Sequence, residues 1–349
     1  MSGTRPTAAS AVLGYLPGLL LILAICIPAM AVQRQIVVNG KEVVSAVAVA
    51  ILLGILIRNL LGIPEACRPG TALAVKRILR IGIALMGAQL SLIQVLQSGG
   101  RSLLVIATCI TTAILLVRGI GVRMGLSDRL GVLIGVGTSI CGVSAIVATA
   151  PVIDAREEET SLAVGTITIF GLLALFIYPF LGNLLHLSNT FFGTWAGTAV
   201  NDTSQVVATG LIYSQKAGEV ATVVKLTRNL FMAPVIVILS SAYVMRSEGK
   251  RCERGTSGLT AFRTAFPVFV LGFLGMAVLN SLGALTPGMR AAIGEASRFL
   301  ILVAIAGVGL ETNVAAMRRI GLRPLYAGLC ASVLMAGVSY GLITLFGIG

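Results

Sequence analysis

Five polar residues stand in succession, Asn201, Asp202, Thr203, Ser204 and Gln205, inside a stretch that is otherwise apolar. Further along come Lys225 and Arg228, three apart and so on one face of a helix. Near the C-terminus are Glu311, Thr312 and Asn313. Ionisable side chains at membrane depth cost about 2.5–3.5 kcal/mol each on insertion scales, and they mark substrate or ion paths. Two cations in the set point to a small anion as cargo. A second polar group, Thr138, Ser139, Cys141 and Ser144, is interleaved with Gly135, Gly137 and Gly142. Glycine lets a helix unwind there, and hydroxyls with freed N–H groups are anion ligands; close helix packing through small residues is the alternative. Asp202 has three expected roles: carrying a coupling proton, ligating Na⁺, or pairing with Lys225. Snorkelling toward headgroups is the alternative for Lys225 and Arg228. Glu311 and Asn313 line a cavity, as coupling-ion ligands, if their helix breaks at Gly307 and Gly309; otherwise they lie at a rim. His186 and the lone Trp195 read as an interfacial pair.

The elements that position these residues are membrane helices. Of the 349 residues, 56% are hydrophobic and 11% charged, against about 25% charged in a soluble domain. One polytopic domain over 1–349 is expected, all-α, with about eleven spans of some 20 residues. They are Ala11–Ala31, Val43–Leu61, Ile78–Leu96, Ser102–Val117, Leu130–Ala150, Thr160–Leu181, Phe191–Ile212, Val220–Met245, Thr264–Leu282, Glu295–Asn313 and Pro324–Phe346. Barrel strands would alternate over about ten residues, and these segments do not. With the N-terminus inside, 17 lysines and arginines fall in inner loops and 7 in outer ones. The inner set includes Arg5, Arg118, Arg123, Arg129, Lys250, Arg251, Arg254, Arg263, Arg318 and Arg319, together with Lys76, Arg77 and Arg80. This predicts a cytoplasmic N-terminus and an outer C-terminus, with the acidic run Asp154 to Glu159 facing outward. Nucleic acid is not an expected partner despite the net charge of +13, because the basic residues sit at span ends. The six cysteines have no metal or CxxC spacing, and no cofactor or metal is expected.

Two self-similarities appear. Gly137–Ala150 (GTSICGVSAIVATA) aligns with Gly197–Gly210 (GTAVNDTSQVVATG) at an offset of 60, and GVGTS at Gly135 resembles GVGLET at Gly307 at an offset of 172. The first relates the fifth and seventh spans, which run in the same direction. The second relates the fifth and tenth, which run in opposite directions. Only the second fits an inverted repeat of five plus five spans after one N-terminal helix, 43–181 and 191–346, with binding at midplane between broken helices.

CGVSAI at Cys141–Ile146, GTAVNDTSQVVATG at Gly197–Gly210 and VVKLTRN at Val223–Asn229 resemble the YeiH-type sulfate exporter family, over nearly the whole chain. That family is placed near bile-acid/sodium-symporter-like carriers. The resemblance implies a bacterial inner-membrane protein with a core of two crossing broken helices that moves against a flatter panel. Carried over, the broken helices are the fifth and tenth spans, crossing near Gly137, Thr138, Ser139, Gly307, Gly309 and Glu311. The family's polar motif falls on Asn201, Asp202 and Gln205, and its basic motif on Lys225 and Arg228. Many members have His-Glu where this chain has Asn201-Asp202, so a relay that needs imidazole is not expected. The substrate site is read as Thr138, Ser139, Cys141, Ser144, Asn201, Thr203, Ser204, Gln205, Lys225 and Arg228, and the coupling-ion site as Asp202, Glu311 and Asn313.

The expected function is secondary active export of a small anion, sulfate or a related sulfur oxyanion or sulfonate, with H⁺ or Na⁺ coupling. A Na⁺-coupled organic-anion importer, a channel and a structural membrane subunit are the alternatives, and a homodimer fits any of them. An enzyme is not expected, since HExxH, GxSxG and a P-loop are all missing.

Overall fold

The apolar segments become helices because a backbone in lipid must satisfy its hydrogen bonds within the segment. A computed structural model describes residues 8–35, 37–38, 41–42, 45–246, 269–317 and 321–348. Arg5, Lys250, Arg251, Arg254, Arg263, Arg318, Arg319 and Cys252 lie outside the described residues, as does the start of the segment predicted from Thr264. All eleven predicted segments are helical, and the only strands among the described residues are two residues each, Val37–Val38 and Lys41–Glu42. The helices form two compact units, 1–92 with 269–316 and 93–268 with 317–349.

The first unit holds α1 (Ala8–Gln35), α2 (Ala46–Leu60), α3 (Arg68–Leu73), α4 (Leu79–Met86), α13 (Phe269–Ser281), α14 (Pro287–Glu311) and α15 (Val314–Met317). A π turn at Ala74–Ile78 joins α3 to α4. The third segment therefore begins about ten residues before the predicted Ile78, and Lys76, Arg77 and Arg80 lie on the helix rather than in a loop. They are exposed, so long basic side chains can ride on an apolar helix. Helix α14 runs unbroken through Gly307 and Gly309, contrary to the expected break. Its glycines serve packing. A Cβ on Gly309 would lie 2.5 Å from the Ile51 carbonyl oxygen, and one on Gly54 would lie 2.8 Å from that of Ala306. The two backbones meet where neither residue carries a side chain, as membrane helices do through small residues.

The second unit holds α5 (Leu92–Arg123), α6 (Asp128–Ser139), α7 (Val143–Thr149), α8 (Glu157–Leu184), α9 (Asn189–Ala199), α10 (Thr203–Tyr213), α11 (Gln215–Leu230), α12 (Met232–Arg246) and α16 (Leu322–Leu345). The fifth and seventh predicted segments are the broken ones. Each doubles back as a hairpin of two short helices, α6/α7 and α9/α10. The ends prove the return. Ser127, before α6, donates to Glu159 after α7 at 2.5 Å, and Arg129 pairs with Asp154 at 3.1 Å. In the second hairpin Ser214 donates to Asn189 Oδ1 at 2.7 Å, and Tyr213 reaches the Leu187 carbonyl. The acidic run 154–159 thus lies beside Arg129, on the face of the Arg118–Arg129 cluster, and not on the opposite face as predicted.

Helix α8 separates the two hairpins. Its 28 residues span about 42 Å, enough to cross a bilayer. The first hairpin is rooted at its N-terminal end and the second at its C-terminal end. Each entering helix is short, about 18 Å for the twelve residues of α6, so the hairpins reach toward each other from opposite ends. Their tips touch: a Cβ on Gly142 would lie 3.4 Å from both Cα and Cβ of Asp202.

Candidate functional site at the meeting of two hairpins

The first tip is Ile140, Cys141 and Gly142. Gly142 has φ +66°, a left-handed conformation natural to glycine, and it lets the chain reverse between α6 and α7. The second tip is Val200, Asn201 and Asp202. Asp202 is extended and caps α10: its Oδ1 accepts from the Ser204 N–H at 2.9 Å and the Ser204 hydroxyl at 2.6 Å. Gln205 Oε1 returns the favour to the Asp202 N–H at 3.3 Å, a reciprocal capping box. Gly171 makes room for Gln205, since a Cβ there would sit 1.9 Å from its Oε1. The tips are 60 residues apart, residue for residue, so the offset that parity seemed to exclude is the structural repeat. Parity misled because both segments return instead of crossing, leaving α8 alone between them and the hairpins opposed.

Breaking a helix leaves its last carbonyls without donors, and these carry the negative end of the helix dipole. Lys225 and Arg228 on α11 supply the missing donors, both with no solvent exposure. Arg228 donates from Nε to Ser139 O at 2.5 Å and from Nη2 to Thr138 O. Its Nη1 faces Thr198 O at 2.6 Å, Val200 O at 3.1 Å and Gly197 O at 3.2 Å. Lys225 Nζ donates to Ile140 O at 2.7 Å, Val200 O at 3.2 Å and Asn201 O. The partners are again equivalent pairs, Thr138 with Thr198 on the arginine and Ile140 with Val200 on the lysine. Snorkelling to headgroups is thereby ruled out for both cations. Asp202 makes no ion pair with Lys225, whose three protons all go to carbonyls.

The other predicted site residues divide by access. Thr138 and Ser139 are buried, and their hydroxyls bond back to Ile134 O at 2.8 Å and Val136 O at 3.4 Å. Their carbonyls, not their hydroxyls, do the work at the junction. Cys141 is buried, with Sγ 3.5 Å from Met232 Sδ. Asn201 is buried and donates to Ile167 O at 3.2 Å. Ser144 is exposed, and Asp202 and Thr203 are partly so. Glu311 is exposed at the last turn of α14, with Asn313 just beyond, and both belong to the first unit, as the hairpins do not. The predicted interfacial pair does not form: Trp195 is buried, packs at a tilt against Tyr178 with ring centroids 4.4 Å apart, and donates to Ala336 O at 2.9 Å.

Two residues take places that their types in the sequence do not indicate, Asn229 and Glu159. Asn229 follows Arg228 in the same basic motif. Its Nδ2 lies 3.5 Å from Thr203 Oγ1, and its buried Oδ1 has no hydrogen-bond partner among the described residues. Glu159, predicted within the outward-facing acidic run, is buried at the root of the first hairpin.

Known proteins resemble the chain over most of its length. Residues 17–328 match the family model described as conserved hypothetical protein 698. UPF0324 membrane protein spyM18_1033 of Streptococcus pyogenes is 37% identical over 332 residues, covering 93% of this chain and 95% of that protein. UPF0324 membrane protein PA5383 of Pseudomonas aeruginosa is 35% identical over 351 residues, covering 97% and 95%. A UPF0324 membrane protein of Bacillus cereus is 32% identical over 306 residues, covering 88% and 85%.

Proposed function

Because the chain belongs to the UPF0324 family of membrane proteins, and because its buried junction holds two cations against one carboxylate, we propose that it is a secondary carrier for a small anion. Sulfate, a related sulfur oxyanion or a sulfonate is the cargo, exported across the bacterial inner membrane. The observation that carries the reading is the complete burial of Lys225 and Arg228 with neither in an ion pair with an acid among the described residues. Carbonyl dipoles answer the donors of both cations but leave two net positive charges, which favour a visiting anion.

Their donors are committed to carbonyls, so the two cations act on the cargo through their field. The anion meets the junction at the exposed Ser144 and half-buried Thr203 hydroxyls, its open side in this reading, and Asp202 is the group that would couple transport to an ion. Opposed hairpins give the junction an approach from each face. In this reading the chain carries out no covalent chemistry, and an ion gradient or the membrane potential drives it, with the N-terminus cytoplasmic and the C-terminus outside.

The test is counterflow of labelled sulfate into proteoliposomes holding the full-length protein, with sulfite and methanesulfonate as competitors. Saturable exchange above protein-free vesicles is expected. Folded protein that exchanges none of the three anions would sink the proposal. Uptake that requires an imposed Na⁺ gradient would favour an importer instead.

A further inference from the structure

Lys225 occupies an unusual place for an ammonium group. Its three acceptors are all backbone carbonyls, from the broken ends of two different helices, and no carboxylate pairs with it. Carbonyls from unwound helix ends, gathered at membrane depth, are the ligand set that elsewhere binds a free alkali-metal ion. We propose that Lys225 is a tethered cation filling a monovalent-cation site that the two hairpin tips create, so that neither Na⁺ nor K⁺ binds among these carbonyls.

Three features carry this. The carbonyls of Ile140 and Val200 are equivalent under the 60-residue repeat, so the cage is made by the repeat and not by one accidental turn. Carbonyls without donors in a water-poor interior need a cation or an N–H, and α11 delivers the only ammonium among the described residues that reaches them. Arg228, one helical turn on, holds the adjacent carbonyls of the same helix ends and repels any further cation. The consequence for the proposed carrier, and the only part that rests on it, is that coupling does not use an alkali ion at this place.

Thermal unfolding of the purified full-length protein in NaCl, KCl and N-methyl-glucamine chloride at equal ionic strength tests it. The wild type should give one midpoint in all three salts. Lys225→Ala empties the cage, so its midpoint should rise saturably by a few degrees in Na⁺ or K⁺ over N-methyl-glucamine. Lys225→Met fills the space with an apolar chain and should show no such rise. A folded Lys225→Ala protein that is indifferent to the cation overturns the proposal, as does a saturable Na⁺ or K⁺ effect on the wild type. Where Lys225→Ala is unfolded in N-methyl-glucamine, recovery of monodisperse protein in Na⁺ or K⁺ supports the proposal, and failure to recover in any salt overturns it. Loss of anion counterflow with these results intact would remove the carrier and leave the tethered cation standing.

Discussion

At the scale of single residues the junction depends on matching donors to freed carbonyls. Arg228 answers five carbonyls with a planar fork, which an ammonium cannot copy. Arg228→Lys should therefore leave one or two buried carbonyls unpaired, at about 1–3 kcal/mol each. The expected outcome is a lower unfolding midpoint in detergent, and an unchanged midpoint would contradict the role. Gly142→Ala forces a Cβ onto φ +66° against Asp202, a strain of about 1–3 kcal/mol. Reduced stability is expected here too, together with slower anion exchange in proteoliposomes. Residue types announced much of this. Lys225, Arg228 and Asp202 stood out as charges in apolar surroundings. Whether a cation there faces an anion or a carbonyl is decided by chain direction in space, which residue types do not record. The burial of Asn229 and Glu159 is not legible in the sequence, because it depends on where hairpin roots and tips land.

At the scale of elements, hydropathy placed all eleven helical segments, and glycine with small polar residues placed the break in the fifth. What hydropathy lacks is a sign for direction: an apolar run of twenty residues reads the same whether it crosses or folds back on itself. If the fifth and seventh segments both cross, the 60-residue offset cannot be an inverted repeat, and only the tenth segment fits as partner; the hairpins remove that condition. Two short-range signals pointed the other way. Ser127 and Ser214 cap helices at the hairpin roots, and ICG and VND fall at matching positions of the repeat. Gly307 and Gly309 illustrate the converse error, since glycine in a membrane helix serves close packing as readily as unwinding. Gly309→Ala should push α14 off Ile51 and destabilise the protein by about 1–3 kcal/mol. Gly337→Ala on α16, where a Cβ meets nothing within 4 Å, should be neutral or stabilise by up to about 1 kcal/mol. Equal unfolding midpoints for the two variants would contradict this use of glycine.

At the scale of the whole molecule, the hairpins change which loops share a face. Arg156 joins Arg118, Arg123 and Arg129, which sharpens the basic asymmetry that orients membrane proteins. With a cytoplasmic N-terminus, an impermeant maleimide should label Lys216→Cys in intact cells, and Glu158→Cys only after permeabilisation. Labelling of both from outside would contradict opposed hairpins. Membership of the UPF0324 family extends the arrangement's interest to proteins from streptococci, bacilli and pseudomonads. The central claim is that an anion passes over the open side of the hairpin junction. Substrate protection tests it most directly: Ser144→Cys and Thr203→Cys, in a background with the natural cysteines replaced, are treated with a methanethiosulfonate reagent in proteoliposomes. Modification should block sulfate counterflow, and sulfate should slow the modification in proportion to its occupancy. Modification at both positions that leaves counterflow intact, at a rate sulfate does not change, would place the anion path elsewhere.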